Sequence, residues 1–472
     1  MECHPRVLIV GAGVGGLLLA IQLQRAGIDY QIFERSQEIR PLGSAMVTGP
    51  NILPVFEQLG LLEQVEKISK PLRCLKIYNG SLDELGTVEA NTKERAGYYS
   101  MVFERKNLYS LLLSQVPPHK IHRKKKVLSI RQYNPEGHEP DRGQPDFGVM
   151  IKCSDNTSYC GDILVGADGA YSAVRQSLFR QLSAQNLLPK HDEEDLSMRH
   201  ICLVGTTESL DPAKFPVVDE AFSRFEIVLA KDTTESVACF TVPDNKICFI
   251  YTVQLDTNPR ATGPHASKDP SNERFRNSEW GPEAASALSE QIRHVKAPFG
   301  LTMGELLDVT PKGTVSKVTL EEKLFETWHH GRTVLIGDAC HKMLPSAGQG
   351  AINAMQDSTI LANCINDLKS LNLKNIEAAL KDYQSQRYDY AKAQFETSKR
   401  FAVIMSGQTW TEAVIRKLVL SYLPKSLNQR RQDKTCAYRP QLNFIQAVPE
   451  RGVIPVLPQV PSKRYSVDAN AL

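Results

Sequence analysis

The N-terminal stretch that ends at Glu34 constrains the fold more than any other part of the chain. An apolar run, VLIV, begins at Val7 and passes into the glycine turn GAGVGG, which starts at Gly11. A helix-periodic segment, LLLAIQLQRAG, follows, and then a second apolar run, YQIF. Strand, turn, helix and strand in this order indicate a βαβ unit. Because such a crossover joins parallel strands, the pattern predicts an α/β protein with a parallel sheet.

The glycines of this turn fit a site for a nucleotide phosphate. Gly11 suits a tight turn, Gly13 lets a pyrophosphate approach the backbone, and Gly16 permits close helix packing. Glu34 ends the second strand, where a carboxylate can accept hydrogen bonds from ribose hydroxyls. Arg35, beside it, is interpreted as a contact to a phosphorylated ribose, a group stacked on adenine, or a solvated side chain. The unit as a whole predicts a bound dinucleotide.

Two later segments repeat the pattern of a buried strand that ends in glycine and acid. DILVGADG contains the pair Asp168-Gly169, and TVLIGDA contains Gly337-Asp338. Between the N-terminal unit and these two segments, residues 65–100 and 200–255 alternate apolar and polar side chains, which is typical of an antiparallel sheet. We therefore expect a doubly wound sheet that is interrupted by a second, β-rich lobe.

The composition excludes several classes of function. The formal net charge is +3 over 472 residues, so no global field favours nucleic acid. Ten cysteines occur without a CxxC pair, which predicts reduced thiols in the cytoplasm and no spaced set of metal ligands. Cys340 and His341 are adjacent in sequence, a spacing that does not easily bring a nucleophile onto its base. We expect neither a metal nor a cysteine nucleophile at that pair.

Two further positions are candidates for ligand contact. Arg105 opens the helix-like segment that carries Leu108 and Leu112 on its inner face, and a planar guanidinium there can hold a phosphate oxygen. A surface arginine is the alternative interpretation. Downstream, the stretch SAGQGA opens the next helix, so the backbone N–H groups at 348–351 face whatever lies before it.

These motifs together resemble the FAD-dependent aromatic hydroxylases, whose type member is para-hydroxybenzoate hydroxylase. The resemblance rests on GxGxxG with Glu34, on Arg105, on Asp168-Gly169 and on Gly337-Asp338, and it spans about residues 6–363. It implies a Rossmann-like doubly wound FAD-binding domain, an inserted antiparallel substrate lobe and a helical C-terminal region. It also implies bound FAD, transient NAD(P)H, O2 and oxygen transfer through a flavin C4a-hydroperoxide.

The resemblance also assigns roles to individual residues. Asp338 is similar to the acid that hydrogen-bonds the ribityl chain, and Pro345 to the proline beside the isoalloxazine ring. Gly348, Gly350 and Ala351 would present a helix N-terminus to the reduced ring. Asp168 is similar to a residue near the pyrophosphate, with capping of its own turn as the alternative. Val47 corresponds to a strand beside the ring, with a buried strand edge as the alternative.

The substrate is less constrained. The tripeptide His341-Lys342-Met343 resembles a subgroup of fungal secondary-metabolite monooxygenases and epoxidases, although HKMLPSAG departs from their usual HKMTPN. The expected substrate is a small hydrophobic, aromatic, prenylated or terpenoid molecule, to be hydroxylated or epoxidised. Arg199, His200 and Tyr251 are the candidate polar side chains of the lobe, with an ordinary sheet residue as the alternative for each. Arg199 and Tyr251 are the predicted catalytic residues. The alternative function is a non-oxygenating flavoprotein oxidase or a flavin-binding redox scaffold.

The predicted domains follow from these segments. The FAD-binding domain comprises 1–70, 100–195 and 318–365, and the substrate lobe comprises 71–99 and 196–317. C-terminal helices fill 366–424, and a proline-rich tail fills 425–472. Residues 409–423 have one apolar side, which predicts either a helix docked on the protein or peripheral membrane contact. The oligomeric state is not predicted.

Overall fold

The computed structural model describes residues 4–38, 45–133, 148–230, 234–254, 282–345, 348–406 and 425–464. Within them lie three β-sheets and the helices α1 (Val14–Arg25), α2 (Leu53–Gln58), α3 (Leu62–Lys67), α4 (Thr92–Ala96), α5 (Arg105–Ser114), α6 (Ala173–Ala184), α7 (Lys190–Glu193), α8 (Pro282–Gln291), α9 (Met303–Asp308), α10 (Gly350–Asn366), α11 (Leu373–Ser406) and α12 (Lys425–Ala437).

The first sheet is the parallel one that the N-terminal pattern predicts. Its strands are β1 (Arg6–Val10), β2 (Asp29–Phe33), β7 (Ile121–His122), β11 (Ile163–Gly166), β17 (His329–His330) and β18 (Thr333–Leu335). Their spatial order is β17-β18-β11-β1-β2-β7, and every neighbouring pair except β17–β18 is parallel. The chain thus builds β2 on one side of β1 and returns much later to build β11 on the other, which confirms the doubly wound arrangement.

Burial explains why these strands are so apolar. The side chains of Val7, Ile9 and Leu164 have essentially no exposed surface, because helices cover the sheet. Helix α1 contributes a long buried face and packs against α10. The carboxyl ends of β1, β11 and β18 consequently meet at one edge, where the glycine turn and the two glycine-and-acid motifs follow the strands.

The second sheet has ten strands. They are β3 (Ala45–Thr48), β4 (Lys70–Asn79), β5 (Glu84–Glu89), β6 (Ser100–Glu104), β12 (Ser197–Thr206), β13 (Ser223–Leu229), β14 (Ser236–Val242), β15 (Lys246–Gln254), β16 (Ser316–Leu324) and β19 (His341–Lys342). Their order is β19-β16-β12-β15-β14-β13-β4-β6-β3, with β5 paired to β4. Every pairing is antiparallel except that of β4 with β13, as expected for the inserted lobe.

The two faces of this sheet have different environments. On one face, Cys202 and Val204 pack with Leu344, which follows β19 in the chain. On the other face, Leu203 and Tyr251 pack beneath α8 and α9. Strands β3, β6 and β19 join the sheet from stretches that the sequence assigns to the FAD-binding domain. The lobe is therefore joined to that domain by continuous strand pairing.

A small third sheet and the C-terminal helices complete the fold. The third sheet consists of β8 (Val127–Tyr133), β9 (Gly148–Cys153) and β10 (Ser158–Gly161), all antiparallel. Helix α11 alone has 34 residues. None of the described helices is both long and apolar enough to cross a bilayer. Residues 409–423, for which peripheral membrane contact is one prediction, lie outside the described part of the chain.

Candidate active site

The glycine turn after β1 has the geometry that its sequence predicts. Gly11 has a φ of +105°, and a Cβ added there would lie 2.3 Å from the carbonyl oxygen of Ala167. A Cβ on Gly16 would lie 2.2 Å from the carbonyl oxygen of Gly11, so α1 can pack on the turn only with glycine there. A Cβ on Gly13 would meet no atom within 4 Å. The open space at Gly13 is where a ligand could approach the backbone.

Glu34 holds this turn from the end of β2. Its Oε2 accepts a hydrogen bond from the backbone N–H of Ala12 at 3.0 Å, and its Oε1 accepts one from Ser36 at 2.9 Å. The carboxylate is half-buried, whereas the neighbouring Arg35 side chain is exposed. Glu34 thus lies beside the glycine turn, as predicted, and the exposure of Arg35 is consistent with its interpretation as a solvated side chain.

Asp168 lies against the same turn, because its Cα would be 2.9 Å from a Cβ on Gly11. Its Oδ2 accepts hydrogen bonds from the N–H groups of Ala173 and Val174 and so caps α6. This is the alternative role that the sequence left open. Its Oδ1 is buried and has no hydrogen-bond partner among the described residues. Burial raises the pKa of Asp168, with opposing contributions from Ser172 and backbone N–H groups.

Asp338 follows β18 on a short 3-10 turn and faces the start of α10. A Cβ on Gly350 would lie 3.9 Å from the Oδ1 of Asp338. The Nζ of Lys342 donates to its Oδ2 at 2.8 Å. Burial raises the pKa of the carboxyl. Lys342, His341 and the charge of Arg105 lower it by a larger amount, so the net pKa is below the ordinary value. Asp338 is therefore a carboxylate with one oxygen fixed by lysine and the other turned toward the helix.

The helix that faces Asp338 begins without a side-chain cap. The N–H of Gly348 donates to the carbonyl of Pro345 at 2.8 Å, and Gly348 has a φ of +64°. Gln349 occupies the N-cap of α10, where its side chain makes no capping hydrogen bond, and Ala351 lies in the first turn of the helix. The first N–H groups of α10 are thus left for a ligand. The N-cap residue of α1 is Gly13, which has no side chain, so this N-terminus likewise has no side-chain cap.

A buried ionic cluster joins the Asp338 turn to two helices. Asp357 of α10 accepts from the backbone N–H of Gly337 at 2.9 Å, contacts Nε2 of His341 at 2.5 Å and accepts from Nε of Arg387 at 2.8 Å. The three side chains are completely buried. Arg387 also donates to Oδ1 of Asn353 at 2.9 Å. Burial raises the pKa of Asp357, but His341 and Arg387 outweigh it and lower the pKa to about 2.

The same cluster decides how Cys340 and His341 are interpreted. Potential ligand atoms of Cys340, His341 and Asp357 lie within 4.8 Å of one another, the spacing of a metal site. The carboxylate, however, already carries a guanidinium on its other oxygen, and burial raises the pKa of the Cys340 thiol well above its usual value. A metal cation would bind weakly here, because the guanidinium of Arg387 repels it and the protonated thiol of Cys340 is a poor ligand. The contacts give these residues a structural role.

The predicted catalytic residues of the lobe separate in the structure. Tyr251 lies on the sheet face that packs beneath α8 and α9, and its hydroxyl donates to Glu235 at 2.7 Å. It therefore does not face Leu344 and the Asp338 turn, and its assignment as a catalytic residue is corrected. The alternation of strand side chains separates the faces but does not tell which is covered. The side chain of Arg199 lies outside the described part of the chain.

The face toward the Asp338 turn is apolar. Val47 packs there with Val102 and Phe240, and Ile250 links this group to Cys202 and its neighbours. Phe225 stacks on Phe240 with ring centroids 4.0 Å apart. We call this surface the apolar face; its members are Val47, Leu72, Val102, Cys202, Val204, Phe225, Ala238, Phe240, Cys248, Ile250, Val318 and Leu320. Val47 lies on β3 at the edge of the sheet, in agreement with its alternative interpretation as a strand-edge residue.

Two side chains near the motifs were missed by sequence reasoning. Tyr109 lies one turn after Arg105 on α5, and its buried hydroxyl has no partner among the described residues. Burial and the charge of Glu34 raise its pKa. The spacing of four residues from Arg105 was the available signal. Lys342 is also four residues after Asp338, but it lies on a β-strand. Helical spacing therefore could not predict its contact with the preceding turn.

These residues fit a bound dinucleotide with a redox-active ring. The edge formed by β1, β11 and β18 brings together two uncapped helix N-termini, an open backbone at Gly13 and a buried Asp168 oxygen without a partner. Anionic phosphates and an electron-rich ring edge are the groups that helix N-termini bind. A profile of the family described as "FAD binding domain" matches residues 4–398.

The chain belongs to this FAD-binding family.

Its relatives are enzymes. The FAD-dependent monooxygenase ausM of Penicillium brasilianum is 28% identical over 430 residues, which cover 88% of this chain and 82% of that protein. The FAD-dependent monooxygenase paxM of Penicillium paxilli is 29% identical, over 84% of this chain and 77% of that protein. The protein is accordingly an FAD-dependent monooxygenase, as the resemblance implied, and its cofactor is FAD.

A solved structure confirms the fold. The chain is similar to Klebsiella pneumoniae HpxO complexed with FAD and uric acid, with a TM-score of 0.68, 21% identity and coverage of 92% of this chain and 96% of that chain. At this identity the likeness concerns the fold: a Rossmann-like FAD-binding domain with an inserted sheet.

Replacing Gly13 by alanine should weaken FAD binding without unfolding the protein. The new methyl group meets no protein atom but occupies the space through which a phosphate approaches the backbone. We expect the FAD dissociation constant to rise at least about tenfold, measured by flavin fluorescence. Gly313→Ala, which also adds a methyl group in open space, is the matched control and should leave it unchanged. Equal affinities in both variants would contradict the placement.

Replacing Lys342 by methionine should make FAD binding sensitive to acid. Without the ammonium group, burial raises the pKa of Asp338, so the carboxyl is protonated as the pH falls and loses acceptor strength. We expect the wild type to keep its affinity for FAD from neutral to mildly acidic pH, whereas Lys342→Met should lose affinity for FAD over that interval. Titrations with FAD at several pH values measure this. Lys312→Met, on an exposed turn, should behave as the wild type.

Replacing Arg387 by methionine should destabilise the fold strongly. The substitution leaves the Asp357 carboxylate buried without its guanidinium, and removal of one partner from a buried pair costs about 3–5 kcal/mol. Urea denaturation measures the free energy of unfolding. The control, Arg293→Met, removes a bridge between exposed side chains and should leave the midpoint unchanged. A similar midpoint for both variants would show that the cluster is not a main support of the fold.

Proposed function

We propose that the enzyme uses NAD(P)H to insert one oxygen atom from O2 into an apolar aromatic, prenylated or terpenoid small molecule. The observation that carries the proposal is the apolar face, which begins at Leu344 beside the Asp338 turn and extends across the sheet to Val47. FAD, when bound, supplies the redox and oxygen chemistry. The chain's own residues then have to bind the flavin, orient the substrate and exclude water.

The character of this face supports a substrate without charge. Its members are aliphatic, aromatic or thiol side chains, and burial raises the pKa of Cys202 to about 12, so that thiol stays neutral. Such a wall gains free energy by covering apolar surface and would leave a charged substrate desolvated. The stacked rings of Phe225 and Phe240 suit a flat or polycyclic molecule.

One titratable group lies on the same side of β12. His200 is 7% exposed and stands two residues before Cys202, so the two side chains share a face. It is suited to hold or move a proton at a substrate hydroxyl if the substrate has to be ionised, as a phenol does. Epoxidation of an alkene needs no such group. The hydroxylation and epoxidation alternatives therefore differ in whether His200 matters.

The cysteines support a reducing compartment. The nine described cysteines are free thiols, and seven of them are buried. This usage fits a cytoplasmic enzyme.

Oxygen labelling tests the proposed reaction. The holoenzyme is incubated with 18O2, NADPH or NADH and candidate prenylated or aromatic substrates, and the products are analysed by mass spectrometry. We expect a product heavier by one 18O atom and substrate-accelerated flavin reduction. Stoichiometric peroxide with an oxidised but unlabelled product would instead indicate a flavoprotein oxidase. Asp338→Ala, which removes the proposed FAD contact, is the inactive control, and His200→Gln separates hydroxylation from epoxidation.

A further inference from the structure

The segment after Arg451 has an exposure pattern of period three. From Pro455 to Ser462, the sequence PVLPQVPS places a proline at every third position: 455, 458 and 461. Each proline fixes its own φ near −65° and directs the residue before it toward extended backbone. Helical and strand hydrogen bonding are absent from this described segment. The proline spacing therefore predicts a polyproline II helix, which has three residues per turn.

One ridge of this helix attaches it to the protein. Val456, Gln459 and Ser462 form the ridge, and each is half-buried or buried. The backbone N–H of Gln441 donates to Oε1 of Gln459 at 2.8 Å, and the Oγ of Ser462 donates to Asp367 at 2.5 Å. Ser462 is 5% exposed. The segment is thus attached through the side chains of Gln459 and Ser462, and also through the backbone N–H of Leu457, which donates to the carbonyl of Ala437 at 2.9 Å.

The other two ridges face solvent. The prolines at 455, 458 and 461 are exposed, and between them lie Leu457, 38% exposed, and Val460, 42% exposed. Isolated exposed apolar residues need no explanation, but two aliphatic–proline pairs in register form a continuous apolar ridge. A domain that recognises polyproline II helices uses two aromatic-lined grooves, each of which takes one such pair. The third ridge, which those grooves leave untouched, is the one that attaches this segment to the protein.

A basic residue completes the pattern. Lys463 follows Pro461 by two positions, its side chain is 56% exposed, and its Nζ pairs with Asp382 at 2.7 Å. An ion pair this exposed is worth little and can be exchanged for another carboxylate. An acidic pocket beside the aromatic grooves would therefore be complementary to this end of the segment.

We propose that residues 455–463 are a docking site for a protein domain of the SH3 type, with two aromatic grooves for Leu457-Pro458 and Val460-Pro461 and an acidic pocket for Lys463. The site lies on the segment after Arg451, apart from the apolar face and the Asp338 turn. Docking there leaves the FAD-dependent reaction unchanged and brings the enzyme beside the partner that carries the domain.

The test uses the full-length FAD-loaded protein and two purified, isotope-labelled SH3 domains observed by NMR. One domain selects a basic residue after the second proline, and the other selects one before the first. We expect saturable shifts at the groove aromatics of the first domain and weaker binding to the second. Absence of saturable binding to the first domain would overturn the proposal, as would binding by an isolated 453–464 peptide but not by the intact protein.

Variants locate the contact. Val460→Glu should abolish binding, and so should the double variant Pro458→Ala/Pro461→Ala, while the flavin absorbance and the thermal unfolding curve stay those of the wild type. Lys463→Glu should weaken binding by about tenfold, because it places like charges together. Two matched controls, Pro449→Ala and Lys434→Glu, change exposed residues outside the segment and should bind as the wild type. Equal binding by Val460→Glu and the wild type would refute the site.

Discussion

The buried carboxylate of Asp357 is the interaction on which the cofactor cradle depends. One oxygen accepts the backbone N–H of Gly337 and contacts His341, and the other accepts the guanidinium of Arg387. The group thereby ties the turn that carries Asp338 to α10 and α11. A carboxylate so deep in the protein is stable only because a cation and several donors surround it. The position of the flavin-facing turn is therefore fixed by charge rather than by packing alone.

The same arrangement explains how a small number of side chains can bind a large cofactor. The backbone N–H groups at the starts of α1 and α10 have no side-chain cap, and the space around Gly13 is open. The carboxylate of Asp338 faces the start of α10. Because these contacts need a rigid backbone, the cofactor site and the buried cluster beneath it belong together.

The sequence was informative where local geometry decides the outcome. The positions of the glycine turn, Glu34 and the Gly337-Asp338 pair at the ends of buried strands could be predicted, because a tight turn at such a place leaves few alternatives. Tyr251 was wrongly assigned because alternation along β15 reveals two faces without saying which one a distant helix covers. Arg387 and Lys342 were missed for a related reason: each acts through a partner whose proximity is created by the tertiary fold. The role of Asp168 was left open by its motif, and its hydrogen bonds show a helix cap.

Helix α11 connects the buried ion cluster with the sheet. It carries Arg387 at the buried cluster and, fifteen residues later, Ala402 against Cys202 and Val204 of the sheet. At 1.5 Å per residue these positions are about 22 Å apart along one uninterrupted rod. The buried ion cluster and the apolar face are therefore linked by one continuous helix, so the same element supports both the turn that carries Asp338 and the sheet.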